Sequence, residues 1–357
     1  MIQVWCNYFM DKELDNFRKA VLDKNIMEGP VLYQFQKLME QILGVRHAIG
    51  TSSGSAALAL ALMGAGVQPG DEVIVPDLTF IATANAACLL GAKVIVAETQ
   101  KGSTLLDFGK IEKYVTDKTK AIITVDLNGR ISCSKELKER YSKKGICIID
   151  DACQALMSGD KYGKAGTQSD IGCFSFGITK TVSTGMGGLV VTDRDDLYER
   201  MRIMKIQGME SVFESDSYIC PGFNFKLPDI LAAIGLGQLE RIDKKMQHMI
   251  EIDEMYRDGL SNAEGISFLE KKENEFHWMT DILCDDRDKV RAALEKNNII
   301  SRPLGAPLHT APFLQSDGDY HSAAQIQKRI LYLPSGPDQD LKNVEYVIQT
   351  LRNIMQQ

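Results

Sequence analysis

The chain of 357 residues is long enough for two domains over an extensive core, and its 44% hydrophobic and 25% charged residues are ordinary for a globular protein. A formal net charge of −7, with both signs interspersed, argues against nucleic acid or an anionic membrane surface as the main partner. No stretch approaches the ~20 consecutive apolar residues of a membrane span. The opening, MIQVWCNYFMDKE, turns acidic too early for a secretory signal, so a cytoplasmic protein is expected.

In chain order, helical spacing of apolar residues predicts helices over 14–22 and 32–43, with Gly29-Pro30 as the break between them. Residues 49–55 (IGTSSGS) form a small-residue turn ahead of a helix-forming run at 56–62. Such a turn offers free backbone N–H groups and the positive end of a helix dipole, which together bind phosphate. It lacks the lysine of a Walker loop and the GxGxxG spacing, and a plain helix cap would look the same. Strands at 73–76, 94–97 and 121–125 then alternate with helices at 80–90, 108–115 (capped by Asp107) and 134–144. Strands too apolar to face water predict a mostly parallel sheet with helices on both faces, an α/β fold.

Residues 145–155 (GICIIDDACQA) read as a buried strand ending in Asp150 and Asp151. Ligands of open α/β sheets sit beyond the carboxyl ends of strands. An ordinary cap of the next helix would also account for the two aspartates. Residues 171–176 read as another buried strand, which delivers Ser175 and then Lys180 into a loop rich in glycine and threonine; the run at 189–192 carries the chain away. A lysine between buried strands loses solvation, which lowers its pKa and makes its amine a nucleophile toward carbonyls. A loop lysine at a sheet edge fits the same stretch. An aspartate at a strand end facing such a lysine suits pyridoxal phosphate: the lysine holds the aldehyde as a Schiff base, and the carboxylate keeps the ring nitrogen protonated.

Beyond Asp193 the pattern becomes helical, with one long interrupted helix expected over 227–260 and Pro228 in its first turn. Ala232, Ala233, Gly235 and Gly237 would allow close packing at a subunit or domain seam. From about Gly265 the pattern restarts with a strand at 278–283, a helix at 287–296 and a short strand at 299–301. A helix at 322–329, a strand at 330–333 and a final helix at 341–355 follow. The division expected is a large domain over 1–240 and a small α+β domain over 241–357. Eight cysteines without a CxxC pair, Cys133 among them, read as free and mostly buried thiols; five scattered histidines give no metal spacing, so no metal is expected.

Taken together, these blocks make the chain resemble, nearly end to end, the DegT/StrS-type or sugar aminotransferases, which are fold type I pyridoxal-phosphate enzymes. The marks are Glu28-Gly29-Pro30 and the segments 53–58 (SGSAAL), 76–85 (PDLTFIATAN), 150–155 (DDACQA), 174–188, 222–226 (GFNFK) and 232–239 (AAIGLGQL). The resemblance implies Lys180 as the Schiff-base lysine and Asp151 as the partner of the pyridine nitrogen. It implies Gln154 near the ring hydroxyl, Phe80 stacked on the ring, and Gly54, Ser55 and Ser175 on the phosphate. Asn224 would reach the phosphate held by the neighbouring subunit, making a homodimer with shared sites. Arg302 and His309 would line the substrate pocket.

Several positions depart from the usual pattern: Met186, Asp126, Asn128, Lys226 and Gly305 stand where relatives often carry other residues. The reaction implied is transfer of an amino group from an amino acid, glutamate by preference, to a nucleotide-linked keto-deoxysugar for surface-glycan or amino-sugar synthesis. A smaller keto-sugar without a nucleotide, and a non-catalytic sensor on the same fold, are the alternatives. A related dehydratase carries histidine in place of the lysine, and Lys180 argues against that outcome.

Overall fold

The computed structural model describes residues 1–132, 134–211, 216–314, 316 and 318–356. Two helices open the chain, α1 (Asp11–Leu22) and α2 (Pro30–Leu43). The start of α2 is fixed from a distance: the Asp229 carboxylate accepts from the N–H groups of Gly29 (2.9 Å), Val31 (3.1 Å) and Leu32 (2.8 Å). Pro30, which has no N–H to satisfy, takes the first helical position. A Cβ on Gly29 would lie 2.9 Å from that carboxylate, which accounts for the glycine.

There follow β1 (His47–Thr51), α3 (Gly54–Gly64), β2 (Glu72–Pro76), α4 (Ala82–Leu89), β3 (Lys93–Ala97), β4 (Thr119–Val125), α5 (Ser134–Tyr141) and β5 (Cys147–Asp151). The helix expected over 108–115 is a 3-10 helix at Phe108–Tyr114; it buries only Ile111, too little apolar packing to favour full α turns. Phe80 stands just outside α4 rather than within it. After a small hairpin, β6 (Gly159–Asp160) and β7 (Gly163–Lys164), come β8 (Ile171–Ser175), β9 (Gly188–Thr192) and α6 (Asp195–Lys205).

The main sheet has the order β1-β9-β8-β5-β4-β2-β3. The pairs β2–β3, β2–β4, β4–β5 and β5–β8 are parallel, and β9 runs antiparallel to both its neighbours. That reversal matters for the site. It sets Gly188, the first residue of β9, beside Ser175 at the end of β8 and Thr51 at the end of β1. A Cβ on Gly188 would stand 2.4 Å from the Ser53 carbonyl oxygen, so only glycine lets the three chains close up here. Helix α3 is apolar all round and buries Leu58, Leu60 and Leu62 between the sheet and its neighbouring helices, each leucine contributing about 1.5–3 kcal/mol.

The interrupted helix expected over 227–260 is α7 (Asp229–Leu239) and α8 (Ile242–Leu260), with the interruption at Glu240 and Arg241, and Pro228 stands immediately before the first turn of α7. The small residues of α7 pack within the chain: a Cβ on Gly235 would press Phe35 of α2, and one on Gly237 would press Glu13 of α1. A second, antiparallel sheet is built from β10 (Ile266–Ser267), β11 (Asp281–Cys284), α9 (Arg287–Lys296), β12 (Arg302–Pro303), α10 (His321–Arg329), β13 (Ile330–Tyr332) and α11 (Leu341–Met355), with strand order β10-β11-β13-β12.

Two strand expectations shift. The strand expected at 278–283 begins at Asp281; Trp278 and Met279 before it are hydrogen-bonded to Thr179 and Asn128 instead. The strand expected at 299–301 lies at Arg302–Pro303, and Ile299 bridges Ile2 instead. The apolar faces of α8 and α11 share one cluster with β11 and β13. Among the described residues seven cysteines are free, no group of His, Cys, Asp and Glu could hold a metal, and no helix is long and apolar enough to cross a membrane. Cys133 lies outside the described residues.

Candidate active site

The carboxyl ends of β1, β5 and β8 meet around a cavity of about 350 Å³. Its walls bring together Gly54, Ser55, Phe80, Asp151, Gln154, Ser175, Lys180 and Arg302, residues far apart in the chain that the sequence singles out one by one.

One end is a cradle for an anion. Ser53 caps α3 by accepting from the Ala56 N–H at 3.1 Å. The N–H groups of Gly54 and Ser55, in the first turn, have no acceptor within the helix and lie at its positive end. The Ser175 side chain flanks them: a Cβ on Gly54 would stand 2.8 Å from the Ser175 Cβ and 3.0 Å from the Cys153 Sγ. Any side chain at 54 would fill the cradle.

The opposite end is a carboxylate. Asp151 Oδ2 accepts from the Thr83 hydroxyl at 2.8 Å and Oδ1 from the Cys153 N–H at 3.2 Å, so the group is oriented yet keeps lone pairs for a further donor. Beneath it lies a buried acid pair. Asp126 accepts from the Ser132 N–H (2.7 Å) and hydroxyl (2.6 Å), and Asp150 from the Thr124 hydroxyl (2.9 Å) and the Gly166 N–H (3.0 Å). Burial and the neighbouring Asp150 push the Asp126 carboxyl well up, and burial raises Asp150 to about 6.

Lys180 lines the same cavity. The turn that carries it is closed by its own N–H on the Gly177 carbonyl (2.9 Å), and its carbonyl accepts from Asn7 Nδ2 at 2.6 Å. Burial lowers its pKa; Cys153 and Asp151 pull it back up, and Arg302 lowers it further. Its Nζ stands 4.3 Å from the centroid of the Trp278 ring. Phe80 is 59% exposed on the cavity rim, which rules out a core role for it. Gln154 Oε1 accepts from the Asn128 N–H at 3.0 Å.

Two predicted residues lie outside this wall. His309 Nδ1 is 2.7 Å from Asp77 Oδ2, its N–H donates to Asp77 Oδ1 at 2.8 Å, and its ring stacks on Tyr320 at 4.7 Å. Asn224 is exposed on an extended segment beside β1, where Lys226 bridges Thr51, Asn224 bridges Ile206, and the Ser52 N–H donates to the Phe225 carbonyl at 2.8 Å. A second cavity of about 430 Å³ adjoins the first beyond Phe80, Trp278 and Arg302 and is bounded by Leu304, Gly305, Phe313 and Tyr332.

Sequence reasoning missed Trp278 and Asn128. Trp278 reads there only as a strand residue. Asn128 reads only as a departure from the family pattern, but its backbone is left-handed (φ +56°) and its side chain is occupied with Met279. An anion cradle, a carboxylate opposite it, an amine lining the same cavity and an open aromatic face at the rim fit pyridoxal phosphate.

The model of the DegT/DnrJ/EryC1/StrS aminotransferase family matches residues 8–352. The chain is 33% identical over 328 residues to the GDP-perosamine synthase of Escherichia coli O157:H7, covering 91% of this chain and 90% of that one. It is 35% identical over 294 residues to the GDP-perosamine synthase of Caulobacter vibrioides, covering 80% and 78%. The crystal structure of the aminotransferase TlmJ from Streptoalloteichus hindustanus matches with a TM-score of 0.95 at 25% identity, over 100% of this chain and 99% of that one.

Proposed function

The chain belongs to the DegT/DnrJ/EryC1/StrS aminotransferase family, whose cofactor is pyridoxal 5'-phosphate, and from that premise we propose that it moves an amino group from glutamate to the ring ketone of a nucleotide-linked keto-deoxysugar. The observation that carries this reading is the Lys180 amine, the Asp151 carboxylate and the Gly54–Ser55 cradle brought to the wall of one cavity. The names of the GDP-perosamine synthases support a nucleotide sugar as acceptor, and the adjoining second cavity offers it room. In this reading residues 1–240 form the cofactor-binding domain, and the small domain, 241–357, lends Trp278 and Arg302 to the wall.

Bound there, pyridoxal phosphate supplies an aldehyde that takes up amines and a ring that accepts the electron pair left when a C–H bond beside nitrogen breaks. The N–H groups of Gly54 and Ser55 and the Ser175 hydroxyl would hold the phosphate. Asp151, braced by Thr83, would keep the ring nitrogen protonated. Gln154 and Phe80 would orient the ring. Lys180 would hold the aldehyde and, once freed, would take the proton from the donor's α-carbon as base and give it up again as acid. Desolvation suits the first of these steps, since it favours the uncharged amine. Arg302, which lines both cavities, presents a fork for an acceptor phosphate or carboxylate.

Adding glutamate to the purified holoenzyme is expected to shift the cofactor's visible absorbance, and a nucleotide-linked keto-deoxysugar to restore it. If only acceptors without a nucleotide restore the band, the choice of acceptor is wrong. If no amino acid shifts it, the chain is a sensor rather than an enzyme.

A further inference from the structure

We propose that Trp278 is a positioning residue for Lys180, parking the released, protonated amine on the face of its indole ring within reach of the reacting carbon. This rests on the reading of Lys180 given above. A buried tryptophan is ordinarily only core, but both special features of this ring are engaged with the lysine loop. Its face lies 4.3 Å from Lys180 Nζ, and its Nε1–H donates to the Thr179 carbonyl at 2.6 Å. One ring thus holds the backbone just before Lys180 and also the far end of the Lys180 side chain.

The Asp151 carboxylate favours the ammonium through its charge, and the like charge of Arg302 opposes it. In a desolvated site an aromatic face is a substantial partner for a cation.

The ring is itself held firmly. It packs on Trp5 (5.8 Å between centroids) and Tyr332 (6.3 Å). The next residue, Met279, is clamped on both sides of its backbone by Asn128, whose Oδ1 accepts from the Met279 N–H at 2.9 Å and whose Nδ2 donates to the Met279 carbonyl at 2.9 Å. Asn128 in turn donates its N–H to Gln154 of the cavity wall. A side chain presented from the second sheet is therefore registered against the first.

The test is the Lys180 pKa in the full-length protein freed of cofactor. It is measured by competitive acetylation with limiting acetic anhydride across the alkaline range and mass spectrometry of the Lys180 peptide. Trp278→Leu is expected to lower this pKa by about one unit, a tenfold loss of proton affinity, and Trp278→Phe by a smaller step, because a phenyl face attracts a cation less than indole does. The Lys205 peptide of the same digests is the control for folding and should not move.

Trp278→Phe alone decides the matter if the leucine variant does not fold. An unchanged Lys180 pKa, or a shift shared by Lys205, overturns the proposal. Borohydride reduction of the wild-type holoenzyme separates the two readings. Cofactor mass on a peptide other than that of Lys180 overturns both, whereas mass on Lys180 with an unchanged pKa overturns the role of Trp278 alone.

Discussion

Asp281, on β11 of the second sheet, is tied to Asn128 and Arg130, which follow β4 of the first. Its carboxylate receives both guanidinium branches of Arg130, at 2.8 and 2.6 Å, and Asn128 Nδ2 at 3.0 Å, all buried. Burial alone would raise its pKa, but the Arg130 charge and hydrogen bonds hold it below the usual carboxylate range. A depressed carboxylate contributes stability that is present above its unfolded pKa and lost as pH falls through the folded one. Removing one partner leaves a buried charge uncompensated, so Asp281→Ala is expected to destabilise the protein by about 3–5 kcal/mol, read from the midpoint of urea denaturation. A loss under 1 kcal/mol would show that water reaches the pair.

None of this is legible in the sequence, since Asn128 and Met279 lie 151 positions apart and neither has a local signature. Lys180, Asp151 and Ser175 are legible for the opposite reason. Each follows or ends an apolar strand, and strand ends are where an α/β sheet presents its chemistry. Asp126 and Asn128, which in the sequence only depart from the family pattern, are occupied by Ser132 and Met279.

Among the elements, helices with both a regular apolar face and a cap in the sequence are read best, and those defined by long-range pairing worst. Helices α9 and α11 match their expected spans because capping aspartates, Asp286 and Asp340, stand just before apolar faces of regular spacing. Strand β12 escapes notice because two residues with a proline carry no period, and its place is fixed by pairing with β13. The interruption between α7 and α8 is expected, but its place at Glu240 and Arg241 has no local signal; it lets Lys245 of α8 turn back on the site. Its buried ammonium donates to the Thr181 carbonyl (3.2 Å), to Asn7 Oδ1 (2.8 Å) and to Gln238, beneath the turn that bears Lys180.

Desolvation lowers the Lys245 pKa from 10.5 to about 8. Between those values the unfolded chain binds the proton that the folded chain has lost, so this group makes stability rise with pH, by on the order of 3 kcal/mol across the interval. Unfolding free energies at the two ends of the interval should differ between the native protein and Lys245→Met by about that much. Parallel curves for the two would show that Lys245 does not titrate there.

At the scale of the whole molecule the chain leaves apolar side chains uncovered around the cavity. Phe223 is 64% exposed, Met186 62% and Ile178 55%, the last two in the loop that carries Lys180. Exposed apolar groups gathered at a functional rim mark a surface that is covered in use, and the Gly/Ala face of α7 is already taken by α1 and α2 of the same chain. Asn224, next to Phe223, lines neither cavity of its own chain. A symmetric dimer that covers this rim with a second copy would carry each Asn224 to the other copy's phosphate cradle, and every site would then draw on two chains.

Complementation tests this. Asn224→Ala and Lys180→Ala proteins, each impaired alone, are unfolded together and refolded as an equal mixture. In a mixed dimer with shared sites, one site carries both defects and the other carries Lys180 from one chain and Asn224 from its partner. About half the dimers are mixed, so about a quarter of all sites should be intact and activity should return to that level. If each site were built within one chain, every site would keep one defect and mixing would restore nothing.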